Sequence, residues 1–130
     1  MGLNKAWNAV SQIGPIDTSV ALTAAIMADK ATKQSELPGL HNGPADAFRH
    51  CVWSCAMAGS IGVTQAKIIG DNHEIEGDKN GQPPDEKEMD LYNNQKGRDC
   101  DLERESKTCP QKCLNLINKR ELKWMEESNW

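Results

Sequence analysis

Asp46, Arg49, His50 and Trp53 recur at i, i+3, i+4 and i+7 after Pro44, a spacing that sets three ionisable side chains and an indole on one helix face. Two further clusters follow. His73 shares a helical stripe with Ala66 and Gly70, residues small enough to admit a neighbouring backbone or a ligand, and Glu74 is adjacent. Asp90, Asn93, Asn94, Gly97 and Arg98 recur at i, i+3, i+4, i+7 and i+8. Solvated helix faces are mostly Lys, Glu and Gln, whereas these three carry Asp, His, Asn, Arg and Trp with small residues between, the composition of a cleft.

Two imidazoles with two or three carboxylates suit a divalent metal, zinc or another, and equally suit acid/base work in which carboxylates orient a histidine. A guanidinium fork holds phosphate or carboxylate bidentately, so Arg49 and Arg98 point to an anionic substrate. The reading is therefore hydrolysis at a phosphate. In it Asp46, His50, His73 and Asp90 hold a metal or orient water, and Glu74 is the general base, with His50, His73 and Asp46 sharing the catalytic work. Asn94 joins Arg49 and Arg98 in binding substrate. His50 and His73 are expected to reach solvent, so that truncating either removes activity at little cost to packing.

Plainer roles compete. Asp46 and His50 also make an ordinary i, i+4 pair, and Trp53 reads as core. Asn93 and Asn94, poor helix formers, call for buried hydrogen bonds, structural or catalytic. His41 is expected to be solvated in its loop. Glu76, Asp78, Asn80 and Gly81 imitate the start of an EF-hand loop, but Lys87 stands where the bidentate Glu belongs and Pro83 and Pro84 interrupt it, so calcium is not expected there.

The elements that must position these groups are read from caps, breakers and periodicity. A short helix is expected over residues 4–13, a small-residue helix from 17 to about 33, and a loop over 39–44. The next helix runs from Pro44 to about Ala58 and is ended by residues 59–62. Another opens near Thr64 and runs towards Glu74, after which residues 77–84 read as the clearest loop. A helix follows from Pro84 or Asp85 to about Arg98. Residues 99–108 are charged and patternless, and a last amphipathic helix is expected over about 110–127, burying Cys113, Leu116, Ile117 and Trp124. Period-two alternation is almost absent. The fold class is therefore all-α, a compact bundle of five to six helices forming one domain over residues 1–130.

A net charge of −4 argues against a chain that holds nucleic acid by neutralising many phosphates. No apolar run is long enough to span a membrane, and residues 1–14 lack the apolar stretch of a secretory signal peptide. The five cysteines favour an oxidising destination. Cys51/Cys55 and Cys109/Cys113 both stand at i, i+4, which allows a disulfide between the helices bearing them; Cys100 to Cys109 is the other arrangement. At least one disulfide is expected to use Cys100, Cys109 or Cys113, and one thiol is left over. Cys51 and Cys55 also read as small core residues.

The segments 42–50 (NGPADAFRH), 73–74 (HE) and 89–98 (MDLYNNQKGR) resemble, in this order, an uncharacterised bacterial domain family. The resemblance covers about residues 40–98, leaving the N-terminal helices and the cysteine-bearing C-terminal region outside it. Such domains look like C-terminal modules of rearrangement-hotspot and other secreted polymorphic toxin proteins. The resemblance implies an antibacterial effector delivered to a target cell's periplasm, an envelope substrate and an immunity protein as partner. The expected function is a metal-assisted hydrolase of a phosphate-containing envelope substrate. The rivals are a peptidoglycan glycosidase using Glu74 with Asp90 or Asp46, and a non-enzymatic binding or immunity module in which the polar stripes form a closed network.

Overall fold

Ala21, Ala24, Ala25 and Ala28 give the first helix a smooth buried stripe that lets a neighbour approach closely. In the computed structural model residues 15–101 and 108–125 are described, and they hold five helices and no strand: α1 (Pro15–Ser35), α2 (Pro44–Ile61), α3 (Val63–Lys79), α4 (Pro84–Asp101) and α5 (Cys109–Asn118). The fold is all-α. The helix expected over residues 4–13 and most of the patternless stretch lie outside the described residues.

α2 is the central element. It is buried on nearly every side, from Ala45 through Trp53 to Ala58, and it packs against all four other helices. Pro44 starts it with a preset φ, and Gly62 ends it at φ 89, where a side chain would be strained. Trp53 belongs to the core, fully buried, with its indole N–H donated to the Ala21 carbonyl at 3.1 Å. Two disulfides pin α5 to α2, Cys51–Cys113 and Cys55–Cys109, while Cys100 keeps a buried thiol. Both bridges use the C-terminal region, and the Cys100–Cys109 arrangement does not form.

Two boundaries differ from the sequence reading. α3 continues to Lys79, so the irregular loop shrinks to residues 80–83. Gly77 lies inside the helix, where a Cβ would meet the Gln82 side chain that folds back over it; the Gly77 carbonyl accepts the Gln82 N–H at 2.8 Å. α5 stops at Asn118 instead of continuing past Trp124. Arg120, at φ 56, turns the chain, and the Asn93 amide then exchanges two 2.8 Å hydrogen bonds with the Lys123 backbone. Of the two buried roles its poor helix propensity left open, structural or catalytic, Asn93 makes structural hydrogen bonds to the Lys123 backbone.

α2 and α4 make the most extensive helix pairing. Gly97 sets their separation, since a Cβ on it would overlap the Cys51 carbonyl oxygen and lie 2.9 Å from Ser54 Cβ. Gly97→Ala is expected to destabilise the protein by about 1–3 kcal/mol, the usual cost of overpacking, despite alanine's better helix propensity. A denaturant titration checks this; an unchanged midpoint means that the two helices are not held at this contact.

Candidate functional site

One helical turn carries the chain from Asp46 to His50, so both side chains of α2 face the first half of α4, where Asp90 stands. His50 Nε2 lies 3.6 Å from Asp46 Oδ1 and 3.4 Å from Asp90 Oδ1. These three donor atoms lie within 4.8 Å of one another, and all three residues are buried. On the other side of the ring His50 Nδ1 is 3.1 Å from Asn94 Oδ1, which also accepts from Ser54 Oγ at 3.3 Å. An amide oxygen only accepts, so Nδ1 carries a proton, and Nε2 is turned towards two carboxylate oxygens. That arrangement is repulsive unless a proton or a metal cation lies between them. A histidine whose second nitrogen is fixed in this way is the usual form of a metal ligand.

The two carboxylates are unequal. Burial works to raise Asp46, but the facing charges of His50 and Arg49, the Asn42 backbone N–H at 2.9 Å and the Arg49 hydrogen bond at 2.6 Å outweigh it and hold the carboxyl below its ordinary value. Burial raises Asp90 above its ordinary value, and the Asp46 charge adds to this against the pull of His50 and of Gln82, whose amide donates to Asp90 Oδ2 at 2.9 Å. Asp90 Oδ1 is left buried with no hydrogen-bond donor among the described residues.

These groups open onto a cavity of about 300 Å³ lined by Asp46, Arg49, His50, His73, Glu86 and Asp90, with His41, Asn42 and loop 80–83 at its edge. Of the residues singled out by spacing, Asp46, Arg49, His50, His73 and Asp90 thus share one cavity, and Asn94 supports it from behind. His73 is not within the three-donor cluster; its ring centroid lies 6.2 Å from that of His50 and 5.3 Å from that of Trp53. Glu74 is fully buried and does not line the cavity. Arg98 lines a different one, with Lys67, Asp71 and Lys87, where burial lowers its pKa against the pull of Asp71 and Asp99. His50 and His73 are also far from solvent, at 2% and 3% exposure, contrary to the expectation of solvent-reaching ligands.

Five contributors were not assigned to the site from the sequence. Gln82 lay in a loop with no periodicity to mark it, and Asn42 and Glu86, hydrogen-bonded to each other, come from the first turns or the approach of two helices. His41 is 86% exposed at its side chain, as expected of a loop residue, yet it faces Glu86 at 3.4 Å on the cavity edge. Ser54 stood in plain view at i+4 from His50.

Residues 11–123 match the model of a protein family described as a domain of unknown function (DUF6973), a span that includes α1 and the cysteine-bearing end as well as the three motif blocks. No solved structure matches the chain.

Proposed function

The chain belongs to this DUF6973 family, and we propose that it is a metal-assisted hydrolase acting on a phosphate-containing substrate of the cell envelope. The observation that carries the reading is the convergence of Asp46 Oδ1, His50 Nε2 and the undonated Asp90 Oδ1 on the floor of one open cavity. Mixed carboxylate and imidazole donors suit zinc, manganese or iron in the divalent state. A bound ion supplies a Lewis acid and a water of lowered pKa.

The remaining roles fall to residues with the matching chemistry. Asn94 fixes the His50 tautomer, and Gln82 holds Asp90 Oδ2 so that Oδ1 faces inward. Arg49, braced by Asp46 and the Leu40 carbonyl, presents positive charge to the cavity. His73 is the lining group able to pass a proton to a leaving oxygen. Asp46, Glu86 and Asp90 outnumber Arg49, so an anionic substrate gains a net attraction only after a cation is in place. A closed structural network would leave neither a cavity nor an orphan carboxylate oxygen, which counts against the non-enzymatic rival, and Glu74 lies off the cavity, which counts against the glycosidase.

Two disulfides suit a protein that works in an oxidising compartment. The resemblance of the motif blocks to secreted toxin modules supports delivery to a target periplasm, with an immunity protein guarding the producer. Among the described residues no helix is long and apolar enough to cross a membrane. The test is to incubate oxidised protein with phospholipid vesicles and with undecaprenyl pyrophosphate, adding Zn²⁺ or Mn²⁺, and to measure released phosphate or headgroup. Activity that disappears with chelator, and growth arrest only when the chain is exported, is the expected result. A protein that binds no divalent ion defeats the reading.

A further inference from the structure

Cys100 is a buried sulfur nucleophile for which the site has no use. It lies on α4 one turn beyond Gly97, and its Sγ is within 4.8 Å of the Sγ atoms of both Cys51 and Cys113, which are bonded to each other. Two contacts hold the trio together. Gly97 lets α4 press against the Cys51 carbonyl, and Lys112 Nζ donates to the Cys100 carbonyl at 3.0 Å, fixing the turn of α5 that bears Cys113.

We propose that Cys100 exchanges with the Cys51–Cys113 disulfide, so that the bundle has two alternative staples. The Cys100 thiolate attacks Cys51 Sγ, a Cys51–Cys100 bond forms as the Cys51–Cys113 bond breaks, and Cys113 leaves with the electron pair and takes up the proton that Cys100 released. One disulfide and one thiol stand on each side, so the step needs no oxidant or reductant. Attack is assigned to Cys51 because α4 already presses on the Cys51 carbonyl through Gly97, one turn from Cys100. The product ties α2 directly to α4, the two helices that carry Asp46, His50 and Asp90, and leaves α5 attached through Cys55–Cys109 alone. Unassisted exchange of this kind takes minutes to hours.

The experiment incubates the oxidised full chain in mildly alkaline buffer, quenches with acid, alkylates remaining thiols and maps an unreduced digest by mass spectrometry. A Cys51–Cys100 linked peptide and alkylated Cys113 should both appear, several-fold above a Cys100→Ser control treated identically. Cys100 as the single alkylated cysteine of the wild type overturns the exchange, and a Cys100–Cys113 peptide with alkylated Cys51 overturns its direction. In Cys113→Ser, where Cys51 and Cys100 are both thiols, oxidised glutathione as the two-electron oxidant should yield the same Cys51–Cys100 bridge; two alkylated thiols after that treatment also overturn the exchange.

Discussion

Asp90→Asn will abolish divalent-metal binding while leaving the metal-free protein at least as stable as the wild type, and Asp46→Asn will lose both. The contrast comes from their environments. The Asp90 carboxyl is raised, chiefly by burial, so its folded-state pKa lies above the unfolded one. Its contribution to stability is full below the unfolded pKa and is lost as pH rises through the folded pKa. At neutral pH an ionised Asp90 is therefore a burden on the metal-free fold, and an amide relieves it while keeping an oxygen for Gln82. The Asp46 carboxyl is lowered, so its contribution is present above the unfolded pKa and is lost only as pH falls through the folded one. The amide keeps a single acceptor oxygen, so either Arg49 or the Asn42 N–H loses its partner there, and the attraction to Arg49 goes with the charge, at about 1–3 kcal/mol.

For metal, both variants delete a ligand, and the loss should exceed the roughly 10–100-fold that follows removal of an outer-shell partner. Calorimetric titration with Zn²⁺ or Mn²⁺ and thermal melts across the pH range read both effects. If Asp90→Asn binds metal like the wild type, the cluster is not the metal site; if it melts as low as Asp46→Asn, its carboxylate is structural. His50→Ala is the poorer probe, because deleting a ring at 2% exposure opens a hole beside Asn94.

Helical periodicity explains why Asp46, His50 and Asp90 were legible: on one face of a helix, i and i+4 are neighbours, and the cavity spans only that length. The same rule overreached at Arg98. It shares a stripe with Asp90, but eight residues carry it about 12 Å along the helix axis, beyond the cavity and into another. Glu74 follows His73 directly and so points about 100° around the helix from it. Gln82 and Asn42 carry no periodic signal, because loop positions are set by tertiary contacts such as the Gly77 carbonyl and the Asp46 carboxylate. The end of the last helix was misjudged for a similar reason. Its amphipathic pattern runs on past Asn118, but the Asn93 side chain, distant in sequence, captures the Lys123 backbone.

Reducing both disulfides is expected to unfold the protein or bring it to the edge of unfolding, while losing either bridge alone will cost less than half of the naive sum. The i, i+4 spacing on two helices puts Cys51 opposite Cys113 and Cys55 opposite Cys109, with sequence separations of 62 and 54. Taken singly, each closes a loop worth about 4 kcal/mol in the chain-entropy model. The bridges are nested, however. Three residues separate Cys51 from Cys55 and three separate Cys109 from Cys113, so once one bridge is closed the other closes only a short ring. The second bridge then adds roughly 2–3 kcal/mol, and the pair about 6–7, against a usual domain stability of about 5–15 kcal/mol. Denaturant titrations of the wild type, of Cys51→Ser with Cys113→Ser, of Cys55→Ser with Cys109→Ser, and of the reduced protein measure each step. Single-pair losses near 2–3 kcal/mol with near-complete unfolding on full reduction are expected. A reduced protein that melts like the oxidised one would show that α5 and the segment after it are held by the burial of Ile117 and Leu122 instead, and would remove the physical reason for an oxidising workplace.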